Sequence, residues 1–289
     1  MIAGLILALT SAALINIGFL LQHRGLRRTS GRGVLAPLRD RVWLSGQAIG
    51  WVGFAAQIVA VAIAPLALVQ AFAAGGLALS VPLAAGMFQH HITRAQIVTV
   101  LVMAAGLAVL PVGFSTARDH LDSSALVVAT AVGAVAALGV ARVPAVWARA
   151  IAAGVFYGLA DAAIKAVSLG WHAHGITAVV SGWTAVAAAG TFAGFLAFQS
   201  SLRGDRPVAS ISLMNGLAAL VALVCGLAAF GESLGIGPAA ATAHLVAIAI
   251  VLAGVPVLAA AQTEIAESGA SGSRRAPRAD ALPLAHRVR

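Results

Sequence analysis

Nine apolar stretches follow one another almost without interruption from Ile2 to Ala261, each about the 20 residues that a ~30 Å hydrocarbon core demands. They are residues 2–21, 43–63, 66–88, 95–114, 124–141, 147–170, 176–200, 207–230 and 239–261. A chain patterned this way leaves no segment from which a separate soluble core could be built: 61% of its residues are hydrophobic and only 9% charged. The expected architecture is an all-α membrane protein with nine transmembrane helices, residues 1–262 forming one polytopic domain.

The cations set the orientation. With the N-terminus outside, connectors 22–42, 89–94, 142–149 and 201–206 share one side with the tail after Gln262, and together they hold sixteen of the 18 Lys and Arg residues. The opposite connectors, around Pro65 and at 115–122, 171–175 and 231–238, carry only Arg118, beside Asp119, Asp122 and Glu232. The remaining cation, Lys165, lies inside the sixth stretch. Short loops rich in Lys and Arg resist translocation, so the N-terminus is expected outside and the C-terminus in the cytoplasm. A single lysine beside abundant Ala, Gly and Arg fits a GC-rich bacterial genome, which makes the inner (cell) membrane the expected location.

The net charge of +9 is spread over short loops without an interleaved aromatic platform. It reads as topology and attraction to anionic lipid, with no nucleic-acid partner. The first stretch has a dense basic flank after it and none before it, the reverse of a cleaved signal peptide, so it reads as a permanent helix. Cys225 is the only cysteine, which leaves no disulfide and no thiolate metal site. Residues 263–289 hold Arg274, Arg275, Arg278, Arg287 and Arg289 among Ala, Ser, Pro and Gly, and read as a disordered basic cytoplasmic tail.

A shift of 142 residues aligns Gln57 with Gln199, Pro65 with Pro207 and Phe88 with Phe230; with three more residues, Pro111 meets Pro256. Helices one to four therefore recur as helices six to nine around a lone fifth, and the odd helix makes the second set enter the membrane from the other side. Inverted repeats of this kind recur in secondary transporters, with substrate bound near the midplane. Gly46 with Gly50, Gly154 with Gly158 and Gly190 with Gly194 present small faces that let helices approach closely. Such faces also leave a homodimer open. Pro82, within a glycine-rich third stretch, is expected to kink it.

The sixth stretch carries the chemistry. Asp161 and Lys165, spaced i, i+4, share a face with Gly154, Tyr157, Gly158 and Ser168, while Val155, Leu159, Ala162, Ala166 and Leu169 make an opposite face expected to meet lipid. A charge near the bilayer centre costs roughly 2.5 to 3.5 kcal/mol on insertion scales, so such residues are usually paired, inward-facing and functional. The two charges read either as substrate ligands and a charge switch or as a structural salt bridge. Asn16, Gln57, Gln70, Ser212 and Asn215 add amides and hydroxyls at membrane depth, beside Thr10, Ser11 and Ser80. The substrate-binding set is thus Asp161, Lys165, Tyr157, Gln57, Gln70, Asn16, Asn215 and Ser212. His90 with His91, and His172 with His174, lack a third ligand at metal spacing, so no metal site is expected. Neither a nucleophile nor a metal constellation gathers at one depth, so the chain does not read as an enzyme and no cofactor is implied.

On four short segments the chain resembles the drug/metabolite transporter (DMT) superfamily, EamA-like in its helix plan, and more closely the superfamily's NIPA-type magnesium transporter branch. The segment Gly18-Phe19-Leu20-Leu21-Gln22-His23-Arg24-Gly25-Leu26 is similar to that branch's first helix end, and Ala64-Pro65-Leu66-Ala67-Leu68-Val69-Gln70 to the start of its third. Ile164-Lys165-Ala166 resembles a lysine-containing segment of its sixth helix, and Gly231-Glu232 a glycine-glutamate of the wider superfamily. The resemblance implies Mg2+ as substrate. Where the first half would match Glu232 it has His90, so one expected acidic group is missing. Mg2+ prefers oxygen ligands, commonly carboxylates. Only Asp161 offers one at depth, and Lys165 is expected to cancel part of it, which suits a zwitterionic or uncharged metabolite at least as well. The expectation is a secondary transporter moving Mg2+ or a small polar metabolite by alternating access, the alternative being a non-transporting membrane scaffold or accessory protein.

Overall fold

The computed structural model describes residues 2–29, 36–76, 78, 81–82, 85, 91–112, 115–116, 120–202, 207–235 and 237–272. Among them are nine α-helices: α1 (Ile2–Arg28), α2 (Arg41–Ile63), α3 (Leu66–Gly75), α4 (Arg94–Val109), α5 (Ser123–Ala141), α6 (Val146–His174), α7 (Gly182–Ser201), α8 (Pro207–Ala229) and α9 (Pro238–Gly272). Five of them, α1, α2, α5, α6 and α9, contain stretches long and apolar enough to cross a membrane. The other regular elements among the described residues are two 3₁₀ turns, Ala36–Arg39 and Gly175–Val179, and a two-residue antiparallel ladder that pairs β1 (Ser115–Thr116) with β2 (Glu232–Ser233).

Helix starts follow local side-chain chemistry. Asp40 accepts from the N–H groups of Val42 and Trp43 at 2.9 Å each, which opens α2. Thr93 and Gln96 exchange bonds in a capping box ahead of α4, and Asp122 and Ser181 cap α5 and α7. Helix ends depart from the hydropathy boundaries. α1 runs on to Arg28, α6 to His174 and α9 to Gly272, so residues 263–272, expected to be disordered, continue a helix. Hydropathy marks where lipid ends, whereas Gln, Glu and Ala sustain a helix in water. Residues 273–289, with all five tail arginines, lie outside the described residues. The third stretch is interrupted: α3 ends at Gly75, where a side chain would collide with Leu107 of α4, and the next position, Gly76, abuts Ala12 of α1. Positions 78, 81, 82 and 85 are helical again, while Ser80 and most residues around Pro82 lie outside the described set.

Packing converges on α6. Of its most apolar window 72% is buried, against 11% for α5. α6 touches α2, α3, α5, α7 and α8. The face expected to meet lipid is therefore covered: Leu159, Ala162 and Ala166 are buried, with Leu159 lying on Gly133 of α5. A helix surrounded on all sides can carry an amphipathic pattern and still have no lipid face. The small residues act as expected. A Cβ at Gly46 would lie 2.7 Å from the Gly18 carbonyl, and one at Gly154 or Gly158 would lie 2.6 Å or 2.7 Å from a carbonyl of α8. α1 packs on α2 and α3 much as α6 packs on α7 and α8, and α3 with α8 and α4 with α9 join the two sets.

Candidate functional site

α6 sets Tyr157, Asp161 and Lys165 on successive turns. Asp161 is buried, and its Oδ2 accepts a hydrogen bond from Gln70 Nε2 on α3. The Lys165 ammonium donates to the carbonyls of Val61 at 3.0 Å and Ala64 at 2.9 Å. Asp161 and Lys165 each hold an adjoining helix. Lys165 lies where the orphan carbonyls ending α2 concentrate negative charge, a favourable place for a cation.

Across the Ala64–Pro65 break the opposite situation arises. Pro65 offers no side-chain cap to α3. Glu232, from the loop between α8 and α9, supplies one: Oε1 accepts from the Leu66 N–H and Oε2 from the Ala67 N–H at 2.8 Å. Burial pushes the Glu232 carboxyl above the ordinary glutamate range, while the two N–H groups and the Lys165 charge pull it back. Both oxygens face N–H donors, an arrangement that favours the ionised carboxylate. Gly226 leaves room for that carboxylate, and Gly231 turns the chain toward it at φ 60°, a left-handed conformation natural to glycine.

The remaining expected residues divide. The Tyr157 ring lies against Gly194 of α7 and packs against the buried cluster that includes Phe198 and Met214. Gln57 accepts from Ser11 Oγ at 3.0 Å, a link between α1 and α2. Asn16 donates to the Ala12 carbonyl, and among the described residues its buried Oδ1 has no hydrogen-bond partner, nor has the buried Asn215 Nδ2. The Ser212 side chain lies outside the described residues, as do His90 and the side chain of His172. Among the described residues no group of three His, Cys, Asp or Glu is placed to hold a metal ion.

Three polar links did not stand out in the sequence. Gln199 Nε2 donates to Gln22 Oε1 at 2.6 Å, with the rings of Phe19 and Phe198 4.6 Å apart beside it, so the first short segment docks α1 on α7 while Gly18 and Gly25 fit it to α2. His244, fully buried in α9, sets Nδ1 2.8 Å from the Ala240 carbonyl and Nε2 3.0 Å from that of Leu110. Its signal was a histidine inside an apolar stretch. Glu232 was legible only as half of a dipeptide.

The described contacts give the four short segments a shared geometry: one docks α1, and the other three meet at the α2–α3 junction. Residues 1–148 match the family model of the magnesium transporter NIPA. The chain belongs to the NIPA magnesium transporter family. Comparisons with curated proteins and with solved structures give no match. As a NIPA-family member with helices able to cross a bilayer, the protein is a multi-pass membrane transporter. The family match contains the α1 segment, the α2–α3 junction and Gln70; Asp161, Lys165 and Glu232 lie beyond it.

Proposed function

We propose that this NIPA-family protein is a secondary carrier that moves Mg2+ by alternating access, with Asp161 as cation ligand and Gln70 as the residue that positions it. The carrying observation is the buried Asp161 carboxylate, held in the apolar interior by the Gln70 amide. The Val61 and Ala64 carbonyls draw the Lys165 ammonium toward the end of α2 and leave its charge in place. Mg2+ sheds its hydration water reluctantly and is commonly held through one or two carboxylates with several waters retained. One carboxylate with the Gln70 amide beside it suits an ion of that kind. A carboxylate held inside a membrane is costly and is a functional-site hypothesis by default.

Two finer readings belong to the same proposal. An inverted repeat is supported by the matching packing of α1 with α2 and α3 and of α6 with α7 and α8. An outer end made by the connectors at 64–65, 115–122 and 231–238 is supported by their contacts: Glu232 on Leu66, β1 on β2, and the Asp122 N–H on the Ala229 carbonyl at 2.7 Å. We place the N-terminus outside a bacterial inner membrane on the charge bias of the connectors.

Uptake of Mg2+ into liposomes holding the purified protein tests the reading. Asp161→Asn is expected to abolish uptake in folded protein. Gln70→Leu removes a hydrogen bond to a charged group, worth roughly 1.5 to 3 kcal/mol, and is expected to raise KM by about tenfold or more. Absence of flux in folded wild-type protein would send the search to polar metabolites, and undiminished flux in Asp161→Asn would remove that carboxylate from the mechanism.

A further inference from the structure

The α2–α3 junction is a place where two helix ends come apart and neither is finished by its own sequence. Ala64 leaves α2 in an extended conformation, φ −138° and ψ 162°, and Pro65 brings no cap for the N–H groups of Leu66 and Ala67. Unfinished ends of this kind are usually closed by residues one to three positions away. Here both closures come from the C-terminal half of the chain, Lys165 of α6 on the carbonyl end and Glu232 of the α8–α9 loop on the N–H end. Each charge has the sign that its helix end favours. Glu232 is 5% exposed, so its bonds are shielded from water.

We propose that Lys165 and Glu232 form a two-charge latch that shuts this end of the carrier and must be released for the end to open. Separating the α2–α3 junction from α6 and the α8–α9 loop strips a carboxylate from two N–H groups and an ammonium from two carbonyls. The other end is held differently. Gly4 lies against Ala64, so Gln22, eighteen residues further along α1, is about 27 Å away at 1.5 Å per residue. There the described links to α7 are uncharged: the hydrogen bond between the Gln22 and Gln199 side-chain amides and the contact of the Phe19 and Phe198 rings. The latch rests on the carrier reading for its purpose and on no assumption about cargo.

Cysteine accessibility tests it. Cys225, 1% exposed, is replaced by Ala, and Ala71→Cys on α3, 5% exposed in the parent, reports opening beneath the junction. Purified protein in lipid nanodiscs, without Mg2+, is treated with a charged maleimide. Glu232→Gln is expected to speed labelling about tenfold, while Gln22→Ala is expected to leave it unchanged. Unchanged labelling in folded Glu232→Gln, or equal acceleration in Gln22→Ala, would overturn the latch, the second outcome showing general loosening. If Glu232→Gln fails to fold, Lys165→Met takes its place with the same expected rise and the same overturning result. Because no Mg2+ is present, the labelling result stands apart from the flux result: absent flux tells against the cargo, and unchanged labelling tells against the latch.

Discussion

Single polar residues here are defined by the partner each has found. Asp161 has an amide from α3, Gln57 a hydroxyl from α1, and Lys165 two carbonyls from α2. Candidates of one chemical type thereby fasten different pairs of helices. At the surface, Asp122 illustrates how such a bond is read by pH. Hydrogen bonds from the Ser124 hydroxyl and from the Ala125 N–H hold its carboxyl below the ordinary 3.8. A depressed carboxyl contributes its stability in full above the ordinary value and loses it as pH falls through the lower, folded value. The melting temperature of the wild type should therefore exceed that of Asp122→Ala at neutral pH, and the gap should close as pH is taken below 3.8. A gap independent of pH would assign the effect to packing.

At the scale of elements, the helix pairs are set by where side chains are missing. The carbonyl of Gly18 and the backbone of Gln22 stand 2.7 and 2.8 Å from where a Cβ on Gly46 would be, and backbone yields less readily than a flexible side chain. Gly46→Val should cost roughly 1 to 3 kcal/mol by overpacking, seen as a lower melting temperature in detergent. Gly139 in α5 is the contrast, with nothing within 4 Å of an added Cβ. Gly139→Ala should be neutral or stabilise by roughly 0.5 to 1 kcal/mol through helix propensity. Equal loss from both substitutions would mean that close approach is not what fits α2 to α1. Apolar periodicity misled for a related reason: the expected lipid face of α6 is apolar because α5 and α8 cover it.

For the molecule as a whole, a carrier that binds Mg2+ in its folded state must gain stability from the ion. At about a hundred times Kd that gain is ~2.7 kcal/mol. Mg2+ should therefore raise the melting temperature of the wild type and leave that of Asp161→Asn unmoved, and an equal rise in both would place the ion elsewhere. What the sequence alone determined is the all-helical membrane class, the small-residue contact faces and the presence of charges such as Asp161 and Lys165 within an apolar stretch. These follow from properties carried locally: apolar length, charge at depth and the absence of a side chain. Only the tertiary structure decided that Lys165 closes α2 and Glu232 closes α3. Glu232 and Leu66 are 166 positions apart, and helix caps are ordinarily local, so no spacing rule joins them. Which distant charge completes an unfinished helix end depends on how the helices stack, and that stacking is a property of the whole chain.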